Sequence, residues 1–316
     1  MYRDLIDKRY SVSVDWAVHG TELRFDESAE AAELSEAEES SASGERSEND
    51  KKMIIDFHAH AFPDALAPKA MESLTASSDN LYPPVSDGTV EALLEKMNDW
   101  NIDISVVQPV ITKQSQFTKT NEWAASICSD KIVCFGGFYP HTDDYKRDID
   151  FIVGLGLKGI KLHAEYQNFV IDDKPMLKIY DYALSQNLII LHHAGFDPAF
   201  PPPFKSSPKQ FANIAKSMRG GVIVAAHLGG HAQWDGVERY LVGGDIYLDT
   251  SMGFEYYPHD QFRRIIENHG ADKILFGSDA PWSNARTEMG HLKSLPLSDS
   301  TKDAILSGNA KRLLGI

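Results

Sequence analysis

From Met53 to the C-terminus, short β-branched runs alternate with longer stretches whose apolar residues recur at helical spacing, and the pattern repeats eight times. The runs are Ile54 to Phe57, Ile104 to Pro109, Ile132 to Phe138, Gly159 to Leu162, Leu188 to His192, Val222 to His227, Ile246 to Asp249 and Ile274 to Gly277. Helical stretches follow them, from Thr89 to Trp100, Thr120 to Ser129 and so on to Asn284 to Lys293. Eight βα repeats with no series of hairpins predict an α/β fold of the (β/α)8 TIM-barrel class, not a sandwich or a helical bundle. An open doubly wound sheet would carry a Gly-rich phosphate turn after its first strand, whereas this strand ends in His-Ala-His-Ala-Phe-Pro. The tail, Thr301 to Leu306 and then Gly308 to Leu314, is expected to pack on the outer ring.

A barrel of about 250 residues leaves some fifty over from a chain of 316. That surplus is N-terminal. Residues 25 to 52 are rich in Glu, Ser and Ala and hold too little apolar surface to offset chain entropy. The expected division is a 1–52 extension, mostly a disordered acidic linker, and a 53–316 barrel. The net charge is -15, and between Thr21 and Asp50 eleven acids face two bases, a local -9 that leaves -6 elsewhere. Such a balance disfavours nucleic acid as a partner, since that binding rests on Lys and Arg displacing counterions. No apolar run approaches the 18 to 20 or so residues of a membrane span, and the N-terminus lacks a signal peptide's apolar core. A soluble, cytoplasmic protein with a small-molecule substrate is expected. Cys128 and Cys134 are read as buried packing residues.

The unusual polar residues sit at strand ends. His58 and His60 close the first strand, Lys161 and His163 the fourth, His192 and His193 the fifth and His227 the sixth, while Asp279 follows the eighth. In a barrel these C-terminal tips form one ring, so distant residues converge. Side chains alternate along a strand, so His58 and His60 share a face, as do Lys161 and His163, and only one of His192 and His193 faces the centre.

Six ordered segments carry a resemblance: Ile55-Asp56-Phe57-His58-Ala59-His60, Gly159-Ile160-Lys161-Leu162-His163, His193-Ala194-Gly195, Ala226-His227-Leu228-Gly229-Gly230, Phe276 to Trp282, and Gly308 to Leu314. On these the chain resembles the amidohydrolase superfamily, within it the amidohydrolase-2 group and the aminocarboxymuconate-semialdehyde decarboxylase branch. The resemblance implies one divalent metal, zinc or else manganese, held by His58, His60, His193 and Asp279. It also selects His193 over His192, although a one-residue shift of the strand would exchange them, and it implies a homodimer. Zinc at an open site of this kind lowers the pKa of its water from 15.7 towards about 7. His227 is the expected general acid/base, with Asp279 counted beside it as catalytic; Lys161, His163 and Trp282 are expected to meet the substrate. The expected activity is metal-dependent hydrolysis of a small carboxylate-bearing amide, ester, lactone or ring, with non-oxidative decarboxylation of an unsaturated or aromatic acid as the alternative.

Overall fold

Among the described residues, nine short parallel strands occupy the eight predicted stations: β1 Ile55–Ala59, β2 Ile104–Val107, β3 Ile132–Cys134, β4 Gly136–Gly137, β5 Gly159–Leu162, β6 Ile189–His192, β7 Ile223–Ala225, β8 Tyr247–Asp249 and β9 Ile274–Leu275. The computed structural model describes residues 52–252 and 258–316. The expected acidic linker therefore lies outside the described residues, apart from its last residue. Residues Met53–Ile316 form one compact unit.

The ladders run β1-β2-β3 and β4 through β9, all parallel. Two seams join them into a closed barrel. At one, Phe57 N–H donates to the Phe276 carbonyl at 2.8 Å and Asp279 N–H to the His58 carbonyl at 2.7 Å. At the other, β3 and β4 are halves of a single station interrupted at Phe135, where a continuous Ile132 to Phe138 strand is expected. The cause is Asn121, whose side-chain amide takes the Gly137 N–H at 2.9 Å and donates to its carbonyl at 3.0 Å, replacing ladder bonds. Room for this exists because the neighbouring Gly136 lacks a Cβ, which would lie 3.0 Å from Asn121 Oδ1.

The helices are α1 Ala67–Ser77, α2 Val90–Trp100, α3 Phe117–Ser126, α4 Tyr145–Gly154, α5 Ala164–Gln167, α6 Lys174–Ser185, α7 Pro208–Ser217, α8 Trp234–Tyr240, α9 His259–His269, α10 Ala285–Ser294, α11 Asp299–Asp303 and α12 Asn309–Leu314. Helix α1 is absent from the sequence reading, and α3 begins three residues early. Several helices announce themselves by local chemistry: Thr89 and Asn284 cap α2 and α10 through their side chains, and Pro208 opens α7 behind a Ser207–Gln210 capping box.

Burial separates into two clusters. The outer one packs strands against helices, with Ile160, Leu162, Ile190 and Ala225 on the strand side. An inner cluster holds Ile55, Phe57, Val106, Phe135, Leu191 and Leu275, joined by Ala310 and Leu314 of α12. The C-terminal tail therefore contributes to the inner cluster instead of lying only on the outer ring, pinned where Asn309 Nδ2 donates to the Ala271 and Ile274 carbonyls, each at 2.7 Å. Cys134 is buried as expected, but Cys128 is exposed, just beyond the end of α3.

Candidate metal centre

Ile55 and Phe57 already belong to the inner cluster, so strict alternation would send His58 outward. A register irregularity between Asp56 and Ala59 breaks that alternation. The Asp56 carboxylate sits at the break, accepting from His58 N–H at 3.1 Å, from Ser278 N–H at 2.9 Å and from the Ser278 hydroxyl at 2.5 Å. Burial drives the Asp56 carboxyl up to about 7 against the pull of those donors. It ties the strand carrying His58 to the loop carrying Asp279, which is held at φ 68°.

The two imidazoles are fixed from behind. His58 Nδ1 lies 2.9 Å from Asp249 Oδ2, and His60 Nδ1 lies 2.8 Å from the Gln108 carbonyl. Both partners only accept, so each Nδ1 carries the proton and each Nε2 presents a lone pair. The Nε2 atoms are 3.2 Å apart, and Asp279 Oδ1 is 3.2 Å from the first and 3.1 Å from the second. Three acceptors thus converge with no proton between them. Ligand atoms at 2.0–2.1 Å from a tetrahedral zinc ion stand roughly 3.3 Å from one another, so this donor set fits a zinc-sized divalent cation. Burial would raise the Asp279 carboxyl, yet His58, His60 and His227 hold it far below the carboxylate range. Lys161 Nζ lies 2.8 Å from His58 Nε2, its pKa lowered by burial to about 8.

A second chain of protons leads to His193. His227 Nδ1 faces the Ser251 carbonyl at 3.1 Å and so carries a proton; its Nε2 lies 3.0 Å from His193 Nδ1, which must then donate. The remaining nitrogen, His193 Nε2, is buried without a hydrogen-bond partner. An orphaned lone pair of this kind suits a metal ligand. The tight cluster, however, contains only His58, His60 and Asp279, while His193 groups with His163 and Asp197. His193 stacks on His163 at 4.1 Å between ring centroids, and His163 Nε2 lies 3.1 Å from Asp197 Oδ2. His192 occupies the layer between strand and helix, among Phe169, Tyr180 and Phe211, and neither of its nitrogens has a hydrogen-bond partner.

His58, His60, Lys161, His163, His193, His227, Asp279 and Trp282 all line one cavity of about 450 Å³. Arg286 reaches the Asp99 carbonyl at the surface, and Arg219 lines a different cleft; the cations on the main cavity among the described residues are Lys161 and, at its rim, Lys69. Asp249 escaped the sequence reading although it is the last residue of its predicted strand. It accepts from His58, from His227 N–H at 3.1 Å and from Ser251 N–H at 3.0 Å. Burial opposes its ionisation, but His58 and His227 bring its pKa down to about 2. Asp249→Asn is expected to weaken metal affinity by about 10- to 100-fold, the usual cost of losing a ligand's orienting partner, with the fold intact. Competition against a chromophoric chelator measures it.

Burial lowers His192 and His231 to about 3 and His227 to about 4, with His58, His60 and His193 shifted the same way. These folded-state values lie below the unfolded 6.5, so the stability they support is complete above about pH 6.5 and drains as pH falls towards 4. Asp56, raised from 3.8 to about 7, works in the opposite sense over that window. The six lowered histidines outnumber the one raised carboxyl, so net stability falls as pH falls through this window. The metal-free protein is expected to unfold between about pH 6 and 4, followed by circular dichroism; a flat profile there would contradict the assignment of neutral buried rings.

The sequence profile described as amidohydrolase (Amidohydro_2) matches residues 55–316. An uncharacterized TIM-barrel protein from Bordetella bronchiseptica superposes with a TM-score of 0.68 at 18% identity, covering 83% of this chain and 98% of that one. The 5-carboxyvanillate decarboxylase of Sphingomonas paucimobilis gives 0.63 at 16% identity, covering 84% and 100%. A probable 2-pyrone-4,6-dicarboxylic acid hydrolase from Acinetobacter baumannii, with citric acid bound, gives 0.59 at 17%, covering 83% and 99%. At such identities the likeness is one of fold. No curated protein matches the chain at a significant level.

Proposed function

Since the chain belongs to the amidohydrolase family, we propose that it is a metal-dependent hydrolase of a small carboxylate-bearing amide, ester, lactone or ring. The observation that carries this reading is the set of three acceptors, His58 Nε2, His60 Nε2 and Asp279 Oδ1, converging beside His227. These residues would hold one divalent ion, zinc by the size of the triangle, with His193 Nε2 as the fourth ligand. Such an ion supplies Lewis acidity towards a carbonyl oxygen and acidifies its water.

His227 is neutral at pH 7, because burial lowers its pKa to about 4, and can therefore accept a proton. Its Nδ1 is anchored by Ser251, which leaves Nε2 as the working nitrogen once His193 releases it. Lys161, buried at the cavity floor, offers the charge that holds a substrate carboxylate. Phe196 and Trp282 wall the space and keep water from it.

A second reading, decarboxylation of an aromatic or unsaturated acid, is favoured by the aromatic lining: Phe62, Tyr82, Trp123 and Tyr166 would sandwich a planar ring. Against it stands the lack of an arginine on the cavity wall among the described residues. The zinc-loaded protein should be screened against amides, esters and lactones, and separately against aromatic and muconate-type acids with carbon dioxide as the readout. Hydrolysis lost to chelator and restored by zinc is the expected result. Carbon dioxide release without hydrolysis would move the assignment to the second reading, and inactivity on both panels would overturn the substrate class.

A further inference from the structure

The roof of the cavity comes from the segment between β1 and α2, and it is thinly anchored. Of the eleven residues of α1 only Ala67 and Met71 are buried, and its N-terminus has no side-chain cap. A helix that buries so little apolar surface opens at small cost compared with the barrel beneath it. Yet Leu66, Ala70, Ser73 and Leu74, which share one face by their spacing, line the cavity.

Specific bonds compensate for the sparse packing. The Tyr82 hydroxyl meets His231 Nε2 at 3.0 Å, across 149 residues of sequence. His231 is the rigid end of that bond: its N–H donates to the Ala194 carbonyl at 2.8 Å, and its carbonyl accepts from Phe196 N–H at 2.9 Å. Met71 settles over Gly88, where the backbone has φ 78° and a Cβ would lie 2.6 Å from Met71 Sδ.

We propose that α1 is a lid over the active-site cavity, that the Tyr82–His231 hydrogen bond is the clasp that shuts it, and that Leu66, Ala70 and Leu74 meet the apolar part of whatever the cavity admits. Gly88 is the seat on which the closed lid rests. The lid concerns access and holds whichever reaction the centre performs, so the test is independent of turnover.

Hydrogen–deuterium exchange of the full-length protein, resolved by mass spectrometry, reads the lid directly. In the unaltered protein, amides of residues 67–78 should exchange faster than those of β5 and β6. Tyr82→Phe should speed exchange in 67–78 by about tenfold, the effect of one hydrogen bond of ordinary net strength, while β5 and β6 stay unchanged. Gly88→Ala should raise the same exchange by unseating Met71. The proposal is overturned if 67–78 is as protected as the barrel strands in the unaltered protein, if neither substitution alters it, or if the strands loosen equally.

Discussion

Alanine in place of either His58 or His60 is expected to reduce bound divalent metal from about one equivalent to a trace and to lower activity by roughly 10³-fold or more. Each substitution deletes one corner of a triangle whose edges are 3.1 to 3.2 Å, leaving a single imidazole and a carboxylate in close array. With His193 the only further ligand, the three that remain hold a labile ion poorly at neutral pH. The fold should persist, because Asp249 retains Ser251 and the His227 N–H after His58 is gone, and His60 leaves only the Gln108 carbonyl without its donor. Metal analysis of the purified variants, with circular dichroism as the control, decides the matter. Unchanged stoichiometry in both variants would remove this pair from the ligand set.

His227→Asn should behave differently: metal content unchanged, kcat down by about 10²- to 10⁴-fold, KM little altered. Asparagine is chosen because its carbonyl oxygen can still accept from His193 Nδ1, so the neighbouring ring keeps its orientation. A variant that loses metal would make His227 a ligand, and one that retains full kcat would end its role in proton transfer. The pair of experiments separates holding the ion from moving the proton.

Periodicity made the barrel legible, because strand and helix patterns depend on neighbours in sequence. Its interruption at Phe135 was not, since Asn121 reaches Gly137 from another element. Helix α1 escaped for a related reason: only two of its residues are buried, so it carries a weak apolar stripe. At the site, residues recognisable by type and position, His58, His60, Lys161, His163, His193, His227, Asp279 and Trp282, line one cavity. What could not be read was how they are held. Asp249 ends a predicted strand in plain view, but an acid there could as well have capped a turn; only the fold brings it to His58 Nδ1. Alternation along β1 also assumes a regular strand, and the irregularity after Asp56 lies below what a five-residue run can signal.

Ser251 Oγ lies 3.0 Å from both His58 Nδ1 and His227 Nδ1, and 2.5 Å from Asp249 Oδ1. The proposed metal ligand His58 and the proposed proton carrier His227 therefore share one tether. An ion bound by His58 would draw charge from that ring, and through the tether it would shift the basicity of His227. Combining changes at His58 and His227 should accordingly cost less than the sum of their separate effects. A designer who wished to retune the proton carrier without touching the ion would have to divide that common attachment first.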